Sequence, residues 1–203
     1  IAVHGAAEDM INQLRERAAA TWDVPIDDVE WHGGQAVAVN GYKDQEGPME
    51  LLDIAKDMAK SGGPIVGRCS TNAQGAGPSF GCHIVDVEVD KETGKVSVAR
   101  YTVIQDAGKA VHPSYVEGQY QGGAVQGIGW ALNEEYIYDE NGKVENAGFL
   151  DYRVPVCSDV PMIDTVIVEV PNPTHPYGVR GVGETPLVPA LAAISNAVEN
   201  ALD

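Results

Sequence analysis

The chain has 203 residues, a formal net charge of −17 and three scattered cysteines. This charge argues against nucleic acid and anionic membrane surfaces as partners, because both require clustered Lys and Arg, and no apolar run reaches the ~20 residues that span a bilayer. There is no Cys-x-x-Cys pair, which excludes an iron–sulfur cluster or a structural zinc of the usual kind and favours a reduced, cytoplasmic setting.

The first 64 residues predict a helix, short strands and a second helix. Apolar side chains recur at helical spacing over residues 5–20, and residues 24–39 favour short strands around the turn Gly33-Gly34. A polar, turn-rich linker lies near residues 41–48. Helical spacing returns from Met49 to Lys60, directly before a helix-breaking Ser-Gly-Gly-Pro run.

The remaining residues predict a loop, two hairpins, a further strand and two helices. Residues 67–81 are rich in Gly, Ser, Asn and Pro and indicate a long loop. Further elements are predicted as a hairpin of strands 85–89 and 96–104, a second hairpin around Asn141-Gly142, a strand over Thr165–Val170 and a closing helix over Leu187–Ala201. This mixture predicts an α+β fold, with mixed β-sheets and hairpins packed against several helices.

Residues 118–129 fit a helix but carry five glycines. Each glycine costs a helix about 1 kcal/mol relative to alanine, so helix stability does not account for them. The helical repeat separates an apolar face from a second face that carries Gln119, Gly122, Gly123 and Gln126. Two explanations stay open: a planar ligand rich in ring nitrogens and carbonyls lies on this face, or the glycines permit close packing of another element.

A second glycine-rich run, Gly178–Glu184, ends in a carboxylate at the start of the closing helix. A helix N-terminus favours the charged form of a carboxylate, and a general base must be ionised to act. The amides of residues 181–183 suit an anion. Arg180 pairs either with Glu184 or with an anionic ligand, or it is an ordinary surface residue. The simplest alternative for the whole run is a loop with an N-terminal Glu cap.

Other common catalytic arrangements are not evident in the sequence. The five histidines are isolated, and none forms a ligand pair at helical spacing, so we expect structural or surface roles for them and no metal ligands. Ser/His/Asp catalysis has no nucleophile elbow to rest on. The candidate site therefore depends on the two glycine-rich stretches.

A series of motifs follows in a fixed order along the chain. These are Asp106-Ala107-Gly108, His112-Pro113, Glu117-Gly118-Gln119, Gln126–Gly129, Leu150–Pro155 and Gly178–Glu184. Their order and spacing resemble those of the molybdenum hydroxylases, the family of xanthine dehydrogenase and aldehyde oxidoreductase. The resemblance implies that residues 1–203 are an incomplete, C-terminal part of a molybdopterin-binding domain, in which 1–64 form a helix/strand/helix segment and 65–203 carry the cofactor site.

The same resemblance implies a role for each matching residue. Glu184 would be the general base beside molybdenum, and Gln119 would contact the molybdopterin near the metal. The cofactor-binding surface would further include Gln126, Arg180, Gly181, Val182 and Gly183. The parent enzyme would oxidise an aldehyde or a xanthine-like N-heterocycle, with water as the source of oxygen and with the redox chemistry supplied by the cofactor.

Cofactors and partners follow from the resemblance as well. The cofactor would be molybdopterin with molybdenum, in its simple or its cytosine dinucleotide form, and iron–sulfur and FAD groups would lie on other subunits or domains. The N-terminal half of the molybdenum subunit would complete the pocket, so we expect this chain, which begins at Ile1, to be an inactive fragment that binds little or no cofactor and self-associates as a homo-oligomer. The alternative is a non-catalytic short subunit or domain that completes a cofactor pocket or mediates assembly.

Overall fold

The computed structural model describes residues 1–42, 47–72, 75 and 77–203. Within it the chain forms two compact units, residues 1–74 and residues 75–203. Half of the predicted linker near 41–48, residues 43–46, lies outside the described residues. The mixture of helices and sheets confirms the predicted α+β class.

The first unit packs one long helix on a small antiparallel sheet. Helix α1 (Ala2–Trp22) is followed by strands β1 (Val29–His32) and β2 (Gln35–Ala38), as predicted. The turn between the strands is Gly33-Gly34, whose φ angles of 58° and 87° are those that a two-residue hairpin turn requires. The core of this unit consists of Leu14, Ala18, Ala19, Val29, Ala36 and Ile54.

The second helix is much shorter than the predicted span from Met49 to Lys60. Met49 instead belongs to strand β3 (Met49–Glu50), which pairs with β2, and helix α2 covers only Leu51–Lys56. Pairing with a neighbouring strand satisfies the Met49 backbone, and this tertiary contact overrides helical spacing. After α2 the chain turns at two glycines, and the Gly63 amide donates to the Met58 carbonyl at 2.7 Å.

The second unit is a three-stranded sheet with two long helices. Strands β4 (Gly81–Val89) and β5 (Val96–Asp106) form the predicted hairpin, with Gly94 at φ 74° in its turn. Helix α3 (Pro113–Leu132) lies on the connection from β5 to β6 (Ile163–Val168), which pairs parallel to β5. Helix α4 (Ala190–Leu202) closes the chain. Among the described residues of the predicted loop 67–81, only Gly81 belongs to a strand.

The core of the second unit lies between one face of this sheet and the two helices. Tyr101 and Val103 of β5 are fully buried, as is Tyr120 of α3, and Ile194 of α4 is 1% exposed. The Tyr120 hydroxyl donates to the Gln105 carbonyl oxygen at 3.0 Å, which satisfies its only donor in the core. This packing fixes the C-terminal end of β5 beside the N-terminal half of α3.

Three predicted elements of the second unit differ from the structure, and one of them, the strand predicted over 165–170, is only shifted, to Ile163–Val168. The turn Asn141-Gly142 is present, but only an isolated bridge joins Tyr138 to Val144, and no strand is assigned there in the described residues. The Asn146 side chain accepts from the Ile137 amide at 3.0 Å, so a side chain replaces part of the expected ladder. The closing helix begins at Ala190 rather than Leu187, because two prolines lacking amide hydrogens lie in a preceding 3-10 turn and N-cap.

Candidate functional site

The base of the loop Gly178–Glu184 is fixed to the chain that follows β5. The Lys109 amide donates to the Gly178 carbonyl at 2.8 Å, and the Arg180 amide donates to the Ala107 carbonyl at 3.0 Å. Gly108 has φ 65°, and a Cβ there would overlap the Gly178 carbonyl oxygen, so this close approach of two backbones requires glycine.

The Arg180 side chain points into the protein, where 11% of it is exposed. Its Nε lies 3.0 Å from Asp106 Oδ2 and also donates to the Val170 carbonyl at 2.9 Å. Its Nη1 donates to the Pro78 carbonyl at 2.7 Å. Arg180 therefore pairs with Asp106, not with Glu184, and it is not an ordinary surface residue.

Asp106 is the centre of this polar cluster, with 7% of the residue exposed. Its Oδ1 accepts hydrogen bonds from the Gly108 amide at 2.8 Å and from the Val170 amide at 3.0 Å. Burial, and secondly the negative charge of Asp106, raise the pKa of the neighbouring Tyr120 hydroxyl to about 12. Asp106 thus links the end of β5 to Val170, which follows β6, and to Arg180 of the loop. Sequence reasoning assigned it no role, although it opens the quoted Asp-Ala-Gly motif.

Beyond Arg180 the tip of the loop is open to solvent. Residues Gly181, Gly183 and Glu184 are exposed, and Val182 is half-buried. No described residue accepts a hydrogen bond from the amides of 181–183. Within the described chain the Glu184 carboxylate likewise has no hydrogen bond or ion pair, and the residue immediately precedes the 3-10 turn Thr185–Leu187. The tip therefore presents three free donors beside one free carboxylate.

The structure brings the loop tip next to Gln119 of α3. A Cβ built on Gly183 would lie 3.5 Å from Gln119 Oε1. Gln119, Gly122 and Gln126 are all exposed on the same side of the helix, and a Cβ on Gly122 would meet nothing within 4 Å. Gln126 lies two helical turns from Gln119, about 10 Å along the axis. We call Gln119, Gly122, Gln126 and residues 181–184 the open face.

The buried glycines of α3 serve close packing. A Cβ on Gly123 would lie 2.6 Å from Pro186 Cγ, and a Cβ on Gly127 would overlap the Cβ of Ala190. Close packing is therefore the explanation for Gly123 and Gly127, whereas a planar ligand on the exposed side stays a prediction. Gly123 admits the 3-10 turn at Pro186 and Gly127 admits the start of α4, whereas Gly118 and Gly122 leave bare backbone on the surface.

A pocket of about 210 Å³ adjoins the open face at the N-terminus of α3. Its lining includes Gln119 and the stacked rings of His112 and Tyr115, whose centroids are 3.9 Å apart. Lys109 also lines it and forms an ion pair with Glu169 at 3.0 Å. Hydrogen bonds from the Ala110 amide and from Lys109 lower the pKa of the Glu169 carboxyl.

The described residues contain neither a cluster of metal ligands nor a membrane-spanning helix. In the part of the chain that the structure describes, no group of three or more His, Cys, Asp or Glu side chains is placed to hold a metal ion. No helix among those residues is long and apolar enough to cross a membrane. His83, one of the isolated histidines, is half-buried, and its Nδ1 lies 2.7 Å from the Tyr101 hydroxyl oxygen.

Comparison with known proteins defines the class of this chain. Residues 1–161 match the family of molybdopterin cofactor-binding domains, and the chain belongs to that family. The xanthine dehydrogenase molybdenum-binding subunit of Escherichia coli O157:H7 is 39% identical over 161 residues, which are 77% of this chain and 21% of that protein. The 6-hydroxypseudooxynicotine dehydrogenase complex subunit gamma of Paenarthrobacter nicotinovorans is 30% identical over 213 residues, 99% of this chain and 26% of that protein.

The fold has solved relatives of the same kind. Reconstituted CO dehydrogenase from Oligotropha carboxidovorans superposes with a TM-score of 0.75 at 28% identity, over 96% of this chain and 24% of that chain. The family predicted from the motifs is thereby confirmed. The chain spans about a fifth to a quarter of the length of these relatives. The loop 178–184 lies beyond residues 1–161 but within the match to the Paenarthrobacter subunit.

Proposed function

We propose that this chain is the cofactor-site portion of the molybdenum subunit of an oxidoreductase that hydroxylates an aldehyde or an N-heterocycle, with water as the oxygen source. The observation that carries the proposal is the open face. In a member of the molybdopterin cofactor-binding family, it sets an exposed Gln119 amide beside the free donors of residues 181–183 and the free carboxylate of Glu184.

The groups on the open face fit a pterin. A pterin edge carries ring nitrogens, an amino group and a carbonyl, so it needs both donors and acceptors, and a glutamine side chain offers both. The bare backbone at Gly122 lets a planar group approach closely. Gln119, Gln126 and the amides of residues 181–183 would hold the molybdopterin. When bound, this cofactor supplies the molybdenum and its two-electron redox chemistry.

Glu184 has the properties of a general base in this arrangement. Among the described residues nothing competes for its carboxylate oxygens, so they can accept a proton from a water or hydroxyl that is held beside them. The preceding residue, Gly183, adjoins Gln119, which places the acid at the margin of the surface proposed for the pterin. The proposed role of Glu184 is to take this proton as oxygen is transferred to the substrate carbon.

The open face is only one wall of a site, and we propose that other modules complete it. The remainder of the molybdenum subunit would cover the face, and iron–sulfur and FAD groups would lie elsewhere in the complex, with the pterin in its simple or cytosine dinucleotide form. Support comes from the names of two relatives, one a molybdenum-binding subunit and the other a complex subunit.

A base exposed to water lacks the dry, preorganised surroundings of an active site, so the chain alone would be inactive. Its three free, exposed cysteines fit a cytoplasmic setting.

Substitution of Glu184 tests the proposed reaction. In the assembled enzyme, we expect Glu184→Gln to lower turnover by at least ~10²-fold, the low end for a lost general base, because the amide cannot accept the proton. Molybdenum and pterin contents should stay at the level of the unsubstituted enzyme. Glu199→Gln, which removes an exposed acid from α4, is the matched control and should leave turnover unchanged. Near-normal turnover of Glu184→Gln with full cofactor would remove Glu184 from the role.

A further inference from the structure

We propose that Asp106 and Arg180 are positioning residues, which act together as a clamp that holds the tip of the loop, residues 181–184, in place. Arg180 then acts through the loop and not as a direct ligand of the cofactor. The consequence for cofactor binding rests on the proposed function, whereas the clamp itself is a property of this chain.

The clamp joins three separate segments of the second unit. Asp106 ends β5, Val170 follows β6, and Pro78 precedes β4. Arg180 reaches all three, through its Nε to the Asp106 carboxylate and the Val170 carbonyl and through its Nη1 to the Pro78 carbonyl. A guanidinium has a planar set of donors that can serve several acceptors at once, which a lysine ammonium cannot reproduce in the same geometry.

Burial distinguishes this ion pair from the others that the structure describes. Its two side chains are 11% and 9% exposed. Each of the other ion pairs among the described residues has at least one side chain that is more than half exposed. A buried charge that loses its partner is strongly unfavourable, so removal of either member disturbs the local structure far more than removal of an exposed pair.

The clamp lies directly before the tip of the loop, where Val182 packs against the core and the Thr185 hydroxyl donates to the Gly181 carbonyl at 3.4 Å. Arg180 is the last residue whose amide is bonded at the loop base, and the donors of residues 181–183 have no acceptor among the described residues. The direction of the tip amides therefore depends on the fixed chain at Arg180 together with these two contacts. Because its Nε and Nη1 are anchored to three separate segments, Arg180 fixes the direction in which the following amides leave the loop base.

Hydrogen exchange in the whole chain tests the clamp. The reporters are the amides of Lys109 and residue 180, which bond across the loop base, and the amide of Asn172, which donates to the Gly178 carbonyl at 2.9 Å. The variants are Arg180→Gln, the double variant Asp106→Asn with Arg180→Gln, and Arg180→Lys. Arg100→Gln is the matched control, because Arg100 pairs with Asp86 at 2.9 Å on an exposed part of the same sheet.

We expect Arg180→Gln to speed exchange of the three reporters by about tenfold or more, while amides in the centres of α3 and α4 change much less, because the loss is a local opening. The double variant should return the reporters to within about threefold of the unsubstituted chain. Its glutamine amide can occupy the position of the arginine Nε, and no unpaired charge is left buried. Arg180→Lys should fall between these values, and it gives the answer if Arg180→Gln does not fold. Arg100→Gln should change nothing.

Two results would overturn the clamp. One is unchanged exchange of the reporters in both Arg180 variants. The other is an equal acceleration at every amide, which indicates a contribution to global stability alone. No recovery in the double variant would also contradict the role assigned to the buried charge.

The cofactor measurement separates this inference from the proposed function. In the assembled enzyme, molybdopterin content should fall at least ~5-fold in Arg180→Gln and recover in the double variant, since the tip amides would be misplaced and then restored. Content equal to that of the unsubstituted enzyme, despite faster exchange at the loop base, would contradict a positioning role. If even the unsubstituted enzyme holds no pterin, the proposed function fails, and the exchange rates still decide whether the clamp exists.

Discussion

Two glutamines of α3 that lie close in sequence have different surroundings. Gln119 is exposed, and its Oε1 faces Gly183 on the open face. Gln121 instead donates from its Nε2 to the Ile163 carbonyl at 3.2 Å, at the start of β6. Helical spacing alone predicts this difference, because residues two positions apart lie on different sides of a helix. Only the structure shows what each side meets.

The glutamine pair gives a direct test of the open face. We expect Gln119→Ala to lower the molybdopterin content of the assembled enzyme by about fivefold, because a hydrogen bond to the pterin is worth roughly 1 kcal/mol. Gln121→Ala is the control and should leave the content unchanged, although it costs a little stability. The measurement is pterin per protein after purification. Equal loss in both variants would contradict a specific contact from Gln119.

His83 makes the stability of the second unit depend on pH. Burial lowers the pKa of His83 from 6.5 to about 4. Between these values the unfolded chain binds the proton and the folded chain does not, so this contribution to stability is complete above about pH 6.5 and is lost as the pH falls toward 4. We expect His83→Gln to flatten the decline in unfolding free energy over this window, measured by urea denaturation. Acidic groups titrate in both proteins and cancel in the difference, so parallel curves would contradict the assignment.

At the scale of single residues, the sequence indicated which groups carry the chemistry but not how they are held. Glycines and glutamines at helical spacing are visible without a structure, and so is the carboxylate after the last loop glycine. The pairing of Arg180 with Asp106 is not, because the two residues are distant in sequence and nothing local selects one acid among thirty. The nearer acid, Glu184, was the natural candidate on spacing, and packing at the end of β5 decided otherwise.

At the scale of elements, α3 uses its glycines in two ways, and substitution can separate them. We expect Gly127→Ala to destabilise the chain by about 1–3 kcal/mol, since the added methyl overlaps Ala190 and overpacks the start of α4. Gly122→Ala should instead stabilise it by up to about 1 kcal/mol, because the site is open and alanine is the better helix former. Thermal unfolding of the two variants gives the comparison. Equal effects of the same sign would show that the packing difference does not matter.

The accuracy of the element predictions followed from how local each signal was. The turn side of the β4–β5 hairpin was predicted to the residue, because alternating valines and a Gly-terminated turn act over a few residues, but β4 begins at Gly81, before the predicted start at 85. The predicted hairpin at Asn141-Gly142 is reduced to a turn and a bridge, since Asn146 takes over backbone hydrogen bonds there. Met49 belongs to a strand because it pairs with β2. Helical spacing could not reveal this, since β2 lies well before Met49 in the sequence. Local spacing could not predict the elements that depend on contacts with residues distant in the sequence.

At the scale of the whole molecule, large apolar side chains on the surface are a prominent feature. Phe149 and Leu150 are 94% and 96% exposed, next to each other in the chain. Apolar groups this exposed are characteristic of surfaces that contact another protein part. The expectation that the chain alone self-associates stays a prediction, and sedimentation over a range of concentrations checks it. A strictly monomeric chain at all concentrations would contradict that expectation.

The open face is only one wall of a cofactor site, so we expect the chain alone to bind cofactor poorly. One measurement tests this expectation most directly. Molybdenum and pterin are quantified in the purified chain alone and in the chain purified together with the remaining three-quarters of a molybdenum subunit. Because one wall of a site binds far less tightly than a closed pocket, we predict little or no cofactor in the first sample and close to one molybdenum and one pterin per chain in the second. The absence of molybdenum and pterin from both samples would contradict the account.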